Sequence, residues 1–179
     1  MKKLILLVGI SALIATSAVN HVFAQVSTAP VTVSIDLTAP VISITLGADP
    51  NVTFVYDSPE DYTTPQVVNK PGHFTVVSNQ DYEISVVAQG EFTVNAANDD
   101  PIPLEVVQVA VDPSTTGAGT TEIVPLTTAA SDATILATDA PATTATLYNI
   151  NYTIPDATPL LDKFPQVYST TVVYTATQL

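Results

Sequence analysis

The chain has 179 residues, with no cysteine, no tryptophan, and 4 Lys+Arg against 17 Asp+Glu, a formal net charge of −13. The absence of cysteine excludes a catalytic thiol, a thiolate metal centre and a disulfide framework. The shortage of cations excludes a basic patch for a polyanion, so nucleic acid and anionic lipid are repelled rather than bound.

Lys2 and Lys3 followed by the apolar, hydroxyl-interrupted run Leu4 to Val19 have the pattern of a secretory signal. Val22 and Ala24 occupy the two positions a signal peptidase reads, which predicts residues 1–24 as a signal peptide cleaved between Ala24 and Gln25. The run is shorter than the ~20 residues needed to span a bilayer, and no later segment of the mature chain is apolar enough to be a transmembrane span. Cleavage leaves 155 residues, the size of one domain, and because Lys2 and Lys3 leave while every acid stays, the formal charge falls to −15. The expected location is extracellular or at the cell surface, with periplasmic transit in a Gram-negative host.

From Val31 the chain alternates, with Val31, Val33, Ile35 and Leu37 on one side and Thr32, Ser34, Asp36 and Thr38 on the other, which predicts a half-buried strand. Strands are predicted next at 41–46 and 52–56, ended by Gly47-Ala48-Asp49-Pro50 and by the acidic loop 57–61. Further runs follow at 66–69 and, after a Lys70-Pro71-Gly72 turn, at 73–78. Asn79-Gln80-Asp81 reads as a hairpin loop joining 73–78 to 82–88. A short run at 92–94, a valine-rich run at 104–111, weak signals at 123–124 and 135–136, and alternating runs at 146–154 and 167–177 complete the series, with residues 112–145 the least patterned part. No helical period is sustained. Short β-branched runs punctuated by 14 prolines predict an all-β, antiparallel, Ig-like Greek-key sandwich, a single domain over residues 25–179.

Candidate chemistry is sparse. His73 is the one histidine of the mature chain, and no nucleophile-elbow motif surrounds it. Asp57, Glu60 and Asp61 could offer hard oxygen ligands to calcium, although their spacing fits no EF-hand. The seven tyrosines could form a carbohydrate-stacking surface, or could instead face the core and pair across strands.

Phe54, Tyr62, Phe74-Thr75-Val76-Val77-Ser78-Asn79 and Tyr82-Glu83-Ile84-Ser85-Val86 resemble a pattern of bacterial surface β-sandwiches, in which a strand ending in Ser-Asn turns into one opening with an aromatic residue. The tail from Tyr168 to Thr177 resembles the closing strand of WxL-type surface domains, spore-coat-U-like proteins and fimbrial subunits. The chain departs from these in having Tyr174-Thr175-Ala176 where a Trp-x-Leu motif would stand, and in lacking a disulfide. The fimbrial resemblance implies donation of an alternating N-terminal strand to a neighbour, which makes Val31, Val33, Ile35 and Leu37 a possible donor strand. The competing reading places the same residues in the protein's own core, and it is the preferred one.

The resulting expectation is a non-catalytic, secreted, cell-surface structural or adhesion-type sandwich needing no cofactor. Its partners would be itself or other surface proteins, met through β-strand pairing. The alternative is an extracellular module that binds cell-wall or host glycan, or a calcium-dependent partner.

Overall fold

A computed structural model describes residues 32–37, 39–93, 101–129 and 134–179. Residues up to Asp36 and residues from Leu37 onward fall into separate units, and of the first only 32–36 are described. These belong to no strand and are exposed throughout.

The second unit is the antiparallel β-sandwich that the strand pattern predicts. Its strands are β1 (Ile42–Leu46), β2 (Gln66–Ser78), β3 (Tyr82–Ala88), β4 (Gln108–Val111), β5 (Thr120–Thr121), β6 (Ile123–Pro125), β7 (Ile135–Ala140), β8 (Thr143–Ile154) and β9 (Val172–Gln178). One sheet runs β1-β2-β8-β4-β6 and the other β5-β7-β3-β9, with every pairing antiparallel. Among the described residues there is no α-helix, and no helix long and apolar enough to cross a membrane.

Each inner face follows the period-2 rule. Ile84, Val86 and Tyr82 of β3 and Tyr148, Ile150 and Tyr152 of β8 are buried, while their neighbours face outward. Each such aliphatic side chain removed from water contributes roughly 1.5–3 kcal/mol before entropy is counted.

Five local expectations are corrected. The segments 73–78 and 82–88 do not form a hairpin, because β2 and β3 belong to different sheets. The three residues between them form an arch, and the physical reason is that both strands need their apolar faces on the same core from opposite sides. Lys70-Pro71-Gly72 is not a turn between strands but a bulge inside β2: between the pairs Lys70↔Ile150 and Phe74↔Tyr148, β2 advances four residues while β8 advances two. Pro71 lacks an N–H and is tolerated where the ladder is interrupted. Residues 52–56 pack Val52, Phe54 and Tyr56 against the core, but they join no ladder. Alternation reports burial of every second side chain and is blind to whether the backbone finds a partner. Finally, the 104–111 run divides into a 3₁₀ turn at Leu104–Val106 and strand β4, and the 92–94 run leaves only the bridge Thr93↔Ser169.

The arch is held by side chains. Asn79 Oδ1 accepts from Val41 N at 2.8 Å and from Gln178 Nε2 at 2.9 Å, and Asn79 Nδ2 donates to Ala39 O at 3.1 Å. One amide thus ties the entry to β1, the β2–β3 crossing and the end of β9. The second crossing, β7 to β8, is joined to the first by Ala142 N donating to Asp81 Oδ1 at 3.2 Å. On the opposite side the sandwich is closed by one continuous segment, with β5 in one sheet and β6 in the other. Gly119 precedes it at φ +71°, and a Cβ there would stand 2.1 Å from Thr138 O.

Replacing Asn79 with alanine removes the acceptor of Val41 N and the donor to Ala39 O, while Gln178 Nε2 keeps its bonds to Val41 O and Ser78 Oγ, and is expected to lower stability by about 1 kcal/mol. Urea unfolding checks this; an unchanged midpoint would show that the arch does not depend on the amide.

Candidate functional site

The bulge in β2 is the most unusual local feature of the sandwich, and it places the chain's chemistry. It breaks the alternation so that His73 and Phe74 are both buried in succession. Gly72 adopts φ +60°, and its N–H donates at 2.7 Å to the Asn149 Oδ1. Gly47 N donates to His73 O at 2.8 Å, and a Cβ on Gly47 would meet Gly72 O at 2.2 Å, so only glycine permits this approach.

His73 is 3% exposed. Its Nε2 is 2.9 Å from Tyr152 Oη, which in turn lies 2.5 Å from Tyr174 Oη. The imidazole meets both tyrosine rings edge-on, with centroids 5.6 and 5.5 Å away. This chain of three polar groups links β2 and β8 in one sheet to β9 in the other. Beside it Phe74 stacks on Tyr148 at 4.8 Å, and Tyr148 Oη donates to Tyr82 Oη at 3.1 Å, a second buried link between the sheets.

Burial and the lack of compensating charge govern the titration of these groups. Burial holds the His73 pKa below the ordinary histidine range, the Lys70 ammonium lowers it further, and Asp49 opposes both. Burial pushes Tyr152 up to about 12 and raises Tyr148 and Tyr174 as well. His73 Nδ1 is buried without a hydrogen-bond partner among the described residues. Lys70 is itself largely covered and pairs with exposed Asp49 at 2.6 Å, which lowers the Asp49 pKa through the hydrogen bond and the charge. The hydrogen-bond partner of His73 is a tyrosine, not a serine or a carboxylate, so its geometry is that of a core tie between sheets.

The acidic loop is organised around the carboxylate of Asp61. Asp61 Oδ2 accepts from Asp57 N, Ser58 N and Ser58 Oγ at 3.2, 2.9 and 2.9 Å, capping the 3₁₀ turn Pro59–Tyr62. Those bonds hold the Asp61 carboxyl below its usual range. Asp57 contributes its backbone N–H to that cap. Among the described residues no three His, Cys, Asp or Glu side chains stand together as a metal site.

The tyrosines divide by position. Tyr82, Tyr148, Tyr152 and Tyr174 are buried, and Tyr62, packed at 5.0 Å against Tyr56, is the exposed one. The strand tyrosines therefore cannot form a stacking platform.

Of the alternating N-terminal set, Val33, Ile35 and Leu37 are 84%, 80% and 82% exposed and belong to no strand. The preferred reading, that they line the protein's own core, is thereby corrected: alternation shows that one side is fit for burial, without saying which sheet supplies the partner. Ala24, Gln25 and Val31 lie outside the described residues. The sandwich side opposite β5 and β6 presents β1 and β9, each paired on one side only among the described residues. The His73 tie and the glycine pair at the bulge were missed in the sequence; Pro71-Gly72 inside a β-branched run was the available signal.

No protein-family model matches the sequence, and a search of curated proteins finds no match.

The His73 environment gives stability a pH dependence of definite sign. Because the folded-state pKa is lowered, the unfolded chain binds the proton more readily, so the contribution is complete above the unfolded value of about 6.5 and is lost as pH falls below it. The slope is at most that of one proton, about 1.4 kcal/mol per pH unit. Melting temperature measured from pH 8 to pH 5 is expected to fall through this window, and the fall should be smaller in His73→Gln; identical profiles would show that His73 does not contribute.

Proposed function

We propose that the protein is a secreted, cell-surface structural or adhesion-type sandwich that works without catalysis, by pairing β-strands with other copies of itself or with other surface proteins. The observation that carries this reading is the exposure of Val33, Ile35 and Leu37. A segment with three large apolar residues on alternate positions is costly to leave in water, and adding it as a strand to a sheet edge satisfies both its backbone and its side chains. The one-sided pairing of β1 and β9 supplies edges of the required kind. The signal-like N-terminus agrees with export, and the acidic surface keeps the exported protein soluble until edges meet.

Export predicts that protein recovered outside the producing cell begins at Gln25, which N-terminal sequencing checks; intact Met1 on the recovered material would sink the secretory reading. Strand addition predicts oligomers that grow with concentration in light scattering. Replacing Val33, Ile35 and Leu37 together by serine should abolish that growth with little change in the unfolding midpoint, because these side chains are already exposed. Unchanged growth in the triple variant would overturn the assignment.

A further inference from the structure

Residues 52–56 lie on the core without belonging to either sheet. Val52, Phe54 and Tyr56 are half-buried against the core, while Thr53 and Val55 between them are exposed. Among the described residues none of their backbone N–H or C=O groups has a hydrogen-bond partner. Each of these residues carries one donor and one acceptor, and backbone groups beside a core are nearly always paired. Water serves them in a lone molecule. A strand laid alongside pairs them instead and covers the half-buried side chains. The edges of β1 and β9 are placed differently. Each is paired along one side, and at the arch Gln178 Nε2 donates to Val41 O at 3.0 Å, which ties the approach to β1 to the end of β9.

The segment with the matching pattern is 33–37. Its apolar residues Val33, Ile35 and Leu37 recur at the same period as Val52, Phe54 and Tyr56, over the same length of chain, and stand exposed. The molecule's own segment cannot reach. Asn79 holds Ala39 O and Val41 N at the arch end of β2. Tyr56 instead packs at 5.0 Å on Tyr62, which precedes the opposite end of β2 at Gln66. β2 has 13 residues and loses the length of two of them to the bulge, so its ends lie roughly 35 Å apart at about 3.3 Å per residue. The chain from Val33 to Ala39 spans only about 20 Å when fully drawn out. A second copy has no such tether.

We infer that residues 52–56 are the acceptor for residues 33–37 of a second copy of this chain, which add along them as a strand. This rests on the strand-addition reading above and narrows it to one partner and one receiving segment. The contact is head-to-tail, because the donor and the acceptor are different parts of the molecule. A copy that receives a segment still offers its own, so association runs on past the dimer into rings or filaments.

The chain has no cysteine, so introduced pairs report the contact directly. Ser34 of the donor and Thr53 and Val55 of the acceptor are exposed. Ser34→Cys is combined in one chain with Val55→Cys, or with Thr53→Cys for the opposite strand direction. One of these pairs is expected to give a ladder of covalent oligomers on a non-reducing gel after mild oxidation. The ladder should be lost when Val33→Ser, Ile35→Ser and Leu37→Ser are added. Ser34→Cys with Thr45→Cys, outward on β1, or with Thr177→Cys, outward on β9, should lack it. Equal urea midpoints confirm that the variants fold. A ladder through Thr45 or Thr177 instead moves the donor to a sheet edge and overturns the assignment of 52–56 while keeping strand addition. An internally closed monomer through Thr53 or Val55 overturns the second copy. No ladder from any pair, with growth in light scattering still lost in the triple serine variant, overturns this inference alone; no ladder and no growth overturns the strand-addition reading with it.

Discussion

The stack of Phe74 on Tyr148 at 4.8 Å, with His73, Tyr152 and Tyr174 hydrogen-bonded alongside, is the contact on which the sandwich depends. Aromatic rings supply much buried area for few rotatable bonds, and their polar atoms are expensive inside a core unless paired. Here the hydroxyls pair with one another, Tyr148 with Tyr82 and Tyr152 with Tyr174, so the polar bonds cross between sheets that share no backbone ladder. The same bonds that satisfy the tyrosines therefore fix the distance and alignment of the two layers.

Placing His73 beside that stack requires the bulge, and the bulge requires its glycines. A regular β2 would alternate past Lys70 and send either His73 or Phe74 to solvent. Two extra residues put both into the core, at the expense of ladder bonds that Asn149 and Gly47 restore in part. The cost is a histidine whose pKa burial lowers, with one ring nitrogen lacking a hydrogen-bond partner among the described residues and a lysine nearby. The resulting pH sensitivity is a by-product of how the sheets are tied.

Charge shapes the outside as aromatic burial shapes the inside. With a net charge of −13 the molecule is protected from indiscriminate association. The exposed aliphatic side chains of Val33, Ile35 and Leu37 offer a contact of another kind, and the proposed structural role rests on them.

Much of this architecture was legible in the residues. The period-2 alternation around Val76, Ile84 and Ile150, the prolines between runs and the absence of a helical period determined an antiparallel sandwich, because side-chain parity within a strand is a local property. Composition likewise determined the acidic surface and the lack of thiol chemistry. Parity does not say which strand lies alongside which. Asn79-Gln80-Asp81 serves a hairpin or an arch equally well, residues 52–56 alternate without joining a ladder, and Val33, Ile35 and Leu37 alternate without entering the core. Those outcomes, together with the union of His73, Tyr152 and Tyr174 from three distant strands, were decided only in the tertiary structure, because pairing between sheets is a contest among all available edges and cores.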